Sequence, residues 1–114
     1  MQSSAPSKLL RVHFSETDRL GNKPLYEAIV EKCREMKIAG ATVFRGLEGY
    51  GETGEMHRAH LVRHDQPIVV CIVDTAENIA RLTPLIEQMM NTGILAESDV
   101  QVVRVQKLAV QPES

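Results

Sequence analysis

Several things are scarce or absent in this sequence, and each absence excludes a class of function. No tryptophan occurs and aromatic residues make up 4% of the chain. Charge of one sign is also lacking. With 13 basic against 15 acidic residues and a formal charge of −2, the chain has no single-sign footprint of the kind that binds nucleic acid, so no nucleic-acid partner is expected. The longest apolar run, residues 68–73, is far too short to span a bilayer, so the protein is not expected to be embedded in a membrane.

Cysteine is nearly absent. Cys33 and Cys71 are the two in the chain, each inside an apolar stretch and neither in a CxxC or Cys/His motif, which favours buried thiols over a disulfide or redox pair. Residues 1–7 have no apolar core that could serve as a signal peptide, and a cytoplasmic location is the expectation. No nucleophile elbow, P-loop or dinucleotide fingerprint occurs, nor an activated serine, cysteine or lysine, so no enzymatic activity is expected. A chain of 114 residues suffices for one core, since a domain of this size removes roughly 60–70% of its unfolded surface from water.

What is present is a regular alternation of strand and helix signals. Leu10, Val12 and Phe14 alternate with Arg11 and His13, the period of a strand with one buried face. Asn22 can cap a helix with Pro24 in its first turn. From Leu25 the apolar positions Ile29, Cys33 and Met36 recur at helical spacing, and an exit near Ile38 is expected, with Ala39 and Gly40 after it. Residues 41–47 hold Thr42, Val43 and Phe44, which favour a second strand. The continuous apolar run at 68–73 predicts a third and innermost strand.

Asp74 or Thr75 can cap a second helix carrying Ile79, Leu82, Ile86 and Met89, with a kink or restart expected at Pro84. Residues 100–105 read as the fourth strand, after a turn at Ser98 and Asp99. The order βαββαβ defines an α+β, ferredoxin-like fold: a four-stranded antiparallel sheet with two helices on one face. The domain is expected over residues 8–107, between flexible tails at 1–7 and 108–114. Its other sheet face, with apolar atoms from Leu9, Val103 and Val105, predicts an oligomer, a trimer or dimer.

Between Gly46 and Gln66 lies the most polar and least periodic stretch, with a mobile loop expected at 48–56. Arg45 and Gly46, then Gly49, Tyr50 and Gly51, then His57 and Arg58, form the first candidate site. Glycines let backbone amides approach an anion, and Arg45, Arg58 or Arg63 can pair with a phosphate or carboxylate. A glycine-rich turn with solvated arginines is the competing interpretation. His57 and His60, with Glu55 and His64 nearby, form a second candidate, a metal site. On a helix that spacing shares a face, but on a strand the two point oppositely, and the segment looks like strand entry. A third cluster, His13 with Glu16 and Asp18, could do acid-base work only if a cleft gathered it, and solvated polar residues are the simpler account.

Three blocks carry a family resemblance: residues 21–30 (GNKPLYEAIV), 39–51 (AGATVFRGLEGYG) and 67–74 (PIVVCIVD). Together they resemble the PII-like family filed as domain of unknown function 190, over roughly residues 10–104. The resemblance implies a ferredoxin-like fold, a homotrimer built around the sheets, and a loop between strands two and three that answers to a small ligand. In PII relatives that ligand is commonly an adenine nucleotide in the cleft between subunits, and the target is often a membrane transporter. Members of the resembling family are often encoded beside fluoride exporters, so a transporter or ion channel is the implied partner. The function so implied is a regulatory sensor of a small anionic ligand. The runner-up is a metal-binding or metal-tolerance trimer using His57 and His60.

Overall fold

The computed structural model describes residues 5–46 and 66–107, together with the backbone of Glu48–Tyr50 and Met56–Arg58. In chain order the elements are β1 (Ser7–Ser15), β2 (Arg19–Leu20), β3 (Lys23–Pro24), α1 (Leu25–Glu35), β4 (Ala41–Arg45), β5 (Glu48–Tyr50), β6 (Met56–Arg58), β7 (Pro67–Thr75), α2 (Ala76–Met89) and β8 (Ile94–Val100). Four of the strands form one antiparallel sheet in the order β4-β7-β1-β8. The expected ferredoxin-like arrangement is therefore the one adopted, with β7 and β1 innermost.

The core lies between that sheet and both helices. Alternation along β1 and β7 aims Leu10, Val12, Phe14, Ile68, Val70 and Ile72 at the helices, where they meet Leu25, Ile29 and Cys33 of α1 and Ile79, Leu82 and Ile86 of α2. Each such aliphatic side chain contributes roughly 1.5–3 kcal/mol through removal from water. Burial pushes the Cys33 thiol up to about 11, which makes it an inert core atom, and Cys71 is half-buried on the opposite sheet face. Also on that face, desolvation first and the Arg11 charge second hold His13 below its ordinary value.

Four local expectations are corrected. The fourth strand is Ile94–Val100, not 100–105. Its partner β1 starts at Ser7, which pairs with Val100, so among the described residues the valines beyond have no ladder despite their β preference. Ser98 and Asp99 belong to the strand, and Asp99 accepts an ion pair from Lys8 at 2.8 Å. Asn22 does not cap α1. It sits in the turn of a small β2–β3 hairpin, opened by Gly21 at φ +65°, and Pro24 precedes the helix with no side-chain cap. Finally, α2 runs unbroken through Pro84. Proline removes one donor from the carbonyl four residues earlier, and Ala80 and Pro84 are both exposed, so water can satisfy that carbonyl.

The fourth correction concerns the end of α1. The helix stops at Glu35, and Lys37 takes the left-handed conformation at φ 61°. Ile38 N–H then donates to Cys33 O at 2.9 Å, and Lys37 N–H to Arg34 O at 3.1 Å. These are the two bonds of a Schellman motif, with buried Ile38 as its apolar anchor. A residue with a Cβ pays a steric penalty in this conformation that glycine does not. Lys37→Gly is therefore expected to stabilise the fold by about 1 kcal/mol, read as a rise of about 4 °C in melting temperature.

At the same end of the sheet, Asp74 gathers the chain. Its carboxylate accepts from the backbone N–H of Ala39 (2.9 Å) and Thr75 (2.6 Å) and from Asn78 Nδ2 (2.9 Å). Thr75 Oγ1 caps α2 by accepting from Asn78 N–H at 3.1 Å. Burial alone would raise the Asp74 carboxyl, but these donors outweigh it and hold it below the usual range. Because the folded value lies below the unfolded one, this stabilisation is complete above about pH 4 and fades as pH falls through the folded value. Asp74→Asn should lower stability by about 1–3 kcal/mol at neutral pH. Denaturant titrations repeated at falling pH should show the gap from wild type closing in strong acid.

Candidate functional site

The end of the sheet opposite Asp74 is where the chain leaves β4 and returns to β7. Between them β5 and β6 pair as a two-stranded antiparallel hairpin, with Glu48 opposite Arg58, Gly49 opposite His57 and Tyr50 opposite Met56. The crossing expected to be a loop at 48–56 thus carries strand pairing, and four of the predicted site residues (Gly49, Tyr50, His57 and Arg58) lie on its two strands. Gly51, His60, Arg63 and His64 lie outside the described residues, so the proposed His57 and His60 pair is represented only by His57, at the centre of β6. Among the described residues no group of three or more His, Cys, Asp or Glu side chains could hold a metal ion.

Arg45 and Gly46 form the neck of this crossing. Gly46 N–H donates to Pro67 O at 2.7 Å, closing β4 onto the start of β7. A Cβ at Gly46 would stand 2.9 Å from Pro67 Cγ, so glycine is needed for the close approach. Its amide is committed to Pro67, and what it contributes to a site is space. Beside it, Arg45 Nη2 pairs with Glu16 Oε2 at 2.9 Å, with side chains 51% and 23% exposed respectively. Glu16 itself is fixed by its backbone, whose N–H donates to Gln66 O at 2.8 Å.

Two side-chain acceptors here are buried without a hydrogen-bond partner: Glu16 Oε1 and Gln66 Oε1. The arrangement is a half-exposed guanidinium paired with a carboxylate at the foot of one hairpin. A guanidinium so placed can engage a carboxylate or phosphate through paired N–H groups. The third cluster from the sequence does not converge. His13 lies on the outer sheet face, Asp18 accepts from Ser15 N–H at 3.2 Å to shape the turn after β1, and Glu16 goes to Arg45. Sequence reasoning missed Glu16 and Gln66 as neighbours of Arg45. Only the register of β1 against β7, which brings Ser15 opposite Pro67, places them there.

Elsewhere, an open groove of about 650 Å³ runs between the β2–β3 hairpin and α1, lined by Lys23, Glu31, Lys32 and Glu35 among others. Lys23–Glu31 and Lys32–Glu35 pair within it at 2.6 and 2.9 Å, and Arg34 is the further charged side chain of its lining. The sheet face away from the helices exposes Phe44 (54%), Val73 and Ile94, and past β8 Val103 and Val105 are each 77% exposed. No helix among the described residues is long and apolar enough to cross a membrane.

A four-stranded antiparallel sheet with two helices on one face is a ferredoxin-like architecture. The chain superposes on the structure of CPII, a nitrogen regulatory PII-like protein from Thiomonas intermedia K12 solved with ADP, AMP and bicarbonate, with a TM-score of 0.64 and 23% identity over 87% of this chain and 90% of that one. It superposes almost equally on the divalent ion tolerance protein CutA1 from Ehrlichia chaffeensis, with a TM-score of 0.63 and 16% identity over 90% and 88% of the two chains. At these identities the likeness is one of fold. Residues 7–102 match the family model DUF190, described as "Uncharacterized ACR", and the chain belongs to that family. A UPF0166 protein of Aquifex aeolicus is 39% identical over 98 residues, 84% of this chain and 92% of the relative.

The close approach at the neck makes a stability prediction. Gly46→Ala should force Pro67 aside and destabilise the protein by about 1 kcal/mol, measured by urea denaturation. Gly40→Ala, where a Cβ would meet nothing within 4 Å, serves as the control and should change little.

Proposed function

We propose that this protein is a PII-like regulatory protein that binds a small anionic ligand at the neck of the β4–β7 crossing and signals through the hairpin to a partner. The observation that carries this reading is Arg45: a half-exposed guanidinium held at the base of the hairpin, beside Gly46 and paired with a carboxylate whose other oxygen is buried with no donor. Adenine nucleotides are the first ligands to test, since the structurally similar CPII was solved with ADP and AMP, and bicarbonate is the second. Arg45 and Gly46 would sit nearest the ligand, with Gly49, Tyr50, Gly51, His57 and Arg58 of the crossing closing over it. Regulation would then be a shift in population between hairpin arrangements, with no turnover.

The assembly in this reading is a cytoplasmic homotrimer, with the ligand in the cleft between subunits. It is supported by the uncovered apolar sheet face bearing Phe44, Val73 and Ile94 and by the shortness of the chain, which gains core by pressing such faces together. A membrane transporter or ion channel is the partner class that the PII likeness suggests.

Calorimetric titration of the full chain with ADP, AMP and bicarbonate, and separately with zinc and copper, tests the proposal. Saturable binding of at least one of the anions is expected, weakened roughly ten- to hundredfold by Arg45→Ala, and light scattering should give three chain masses. Tight metal binding lost in His60→Ala, with no response to any of the anions, would replace this reading with a metal-binding one.

A further inference from the structure

The ion pair at the neck holds Arg45 against Glu16, and so occupies the group proposed to meet the ligand. We infer that Glu16 is a built-in competitor for the anion at Arg45, so that ligand binding must break or outweigh the Arg45–Glu16 pair. This inference rests on the reading of Arg45 as the anion contact, and it adds the residue that sets how readily that contact is made.

The geometry supports competition rather than simple support. Glu16 Oε2 stands 2.9 Å from Arg45 Nη2, the separation a phosphate or carboxylate oxygen of a ligand would itself take. Two anionic oxygens cannot share that donor without like-charge repulsion, whether the newcomer displaces Glu16 or settles beside it. The pair is also poised to open. It is exposed on the Arg45 side, and ion pairs open to water are weak. Moreover the second oxygen, Oε1, is buried with no donor, so the closed state leaves one lone pair of an ionised group uncompensated. Swinging outward would hydrate both oxygens.

The backbone keeps the displaced carboxylate local. Glu16 N–H is tied to Gln66 O, one residue before β7, so a carboxylate that leaves Arg45 stays beside the start of β7. Occupancy of Arg45 by ligand is thereby coupled to where a negative charge sits at the foot of the hairpin. Among the described residues, Glu16 is the acidic side chain that pairs with Arg45. Asp18 is committed to Ser15 N–H.

The test is a double-mutant cycle on the full chain, with ADP and bicarbonate titrated separately into wild type, Glu16→Gln, Arg45→Gln and the double variant. Glu16→Gln keeps volume and removes charge, and circular dichroism melts check that all four proteins are folded. The expected result is about three- to tenfold tighter binding of at least one anion by Glu16→Gln, weaker binding by Arg45→Gln, and no gain from Glu16→Gln when Arg45 is already replaced. Unchanged or weaker binding by Glu16→Gln while Arg45→Gln still loses affinity overturns the competitor role and leaves the Arg45 site standing. An equal gain in both backgrounds also overturns it, because the effect would not pass through Arg45. Indifference of affinity to Arg45→Gln, or no binding of either anion by any of the four proteins, overturns both.

Discussion

The pairing of β1 with β7 over nine residues, from Ser7 opposite Thr75 to Ser15 opposite Pro67, is the constraint on which everything else depends. It aligns two alternating rows so that Leu10, Val12 and Phe14 share a face with Ile68, Val70 and Ile72. A slip of one residue would put the two rows on opposite faces of the sheet and turn one of them away from the helices. The same register decides what lies at each end of the sheet. One end brings Asp74 to the turn after α1, and the other brings Glu16 and Gln66 to Arg45.

The two ends are built differently. At the Asp74 end a single carboxylate takes three donors, from the loop after α1, the end of β7 and α2, and Thr75 caps that helix. Among the described residues, the Arg45 end is held by two backbone hydrogen bonds, from Gly46 and Glu16, and one half-exposed ion pair. Stability and responsiveness are thus separated along the strands. The tight end and the aliphatic core fix the fold, while the loose end holds the groups with chemistry to offer.

Much of this architecture was legible in the sequence, because hydrophobic period is a direct imprint of burial. The alternation at Leu10, Val12 and Phe14, the helical stripe of α2 and the apolar run of β7 all predicted elements that exist, and the family resemblance named the fold. The misplacement of the last strand has a simple cause. Val100, Val102, Val103 and Val105 carry a stronger β signal than Ile94–Val100, where Glu97 meets Thr83 and Asp99 meets Lys8 at the sheet edge. What a strand pairs with decides where it ends, and that information is nonlocal. The site was half legible for the same reason. Arg45 and Gly46 stood out as a motif, whereas Glu16 and Gln66, one before and one after a long excursion, become neighbours only through the register of β1 and β7. Asn22 was taken for a helix cap because its turn, two residues long, leaves no periodic trace.

The unequal fastening of the sheet has a consequence for how a disturbance would spread. Among the described residues, work done on the chain at the Arg45 end meets one ion pair and two backbone hydrogen bonds before it meets the aliphatic core. Yielding of those few contacts would spare the packed interior.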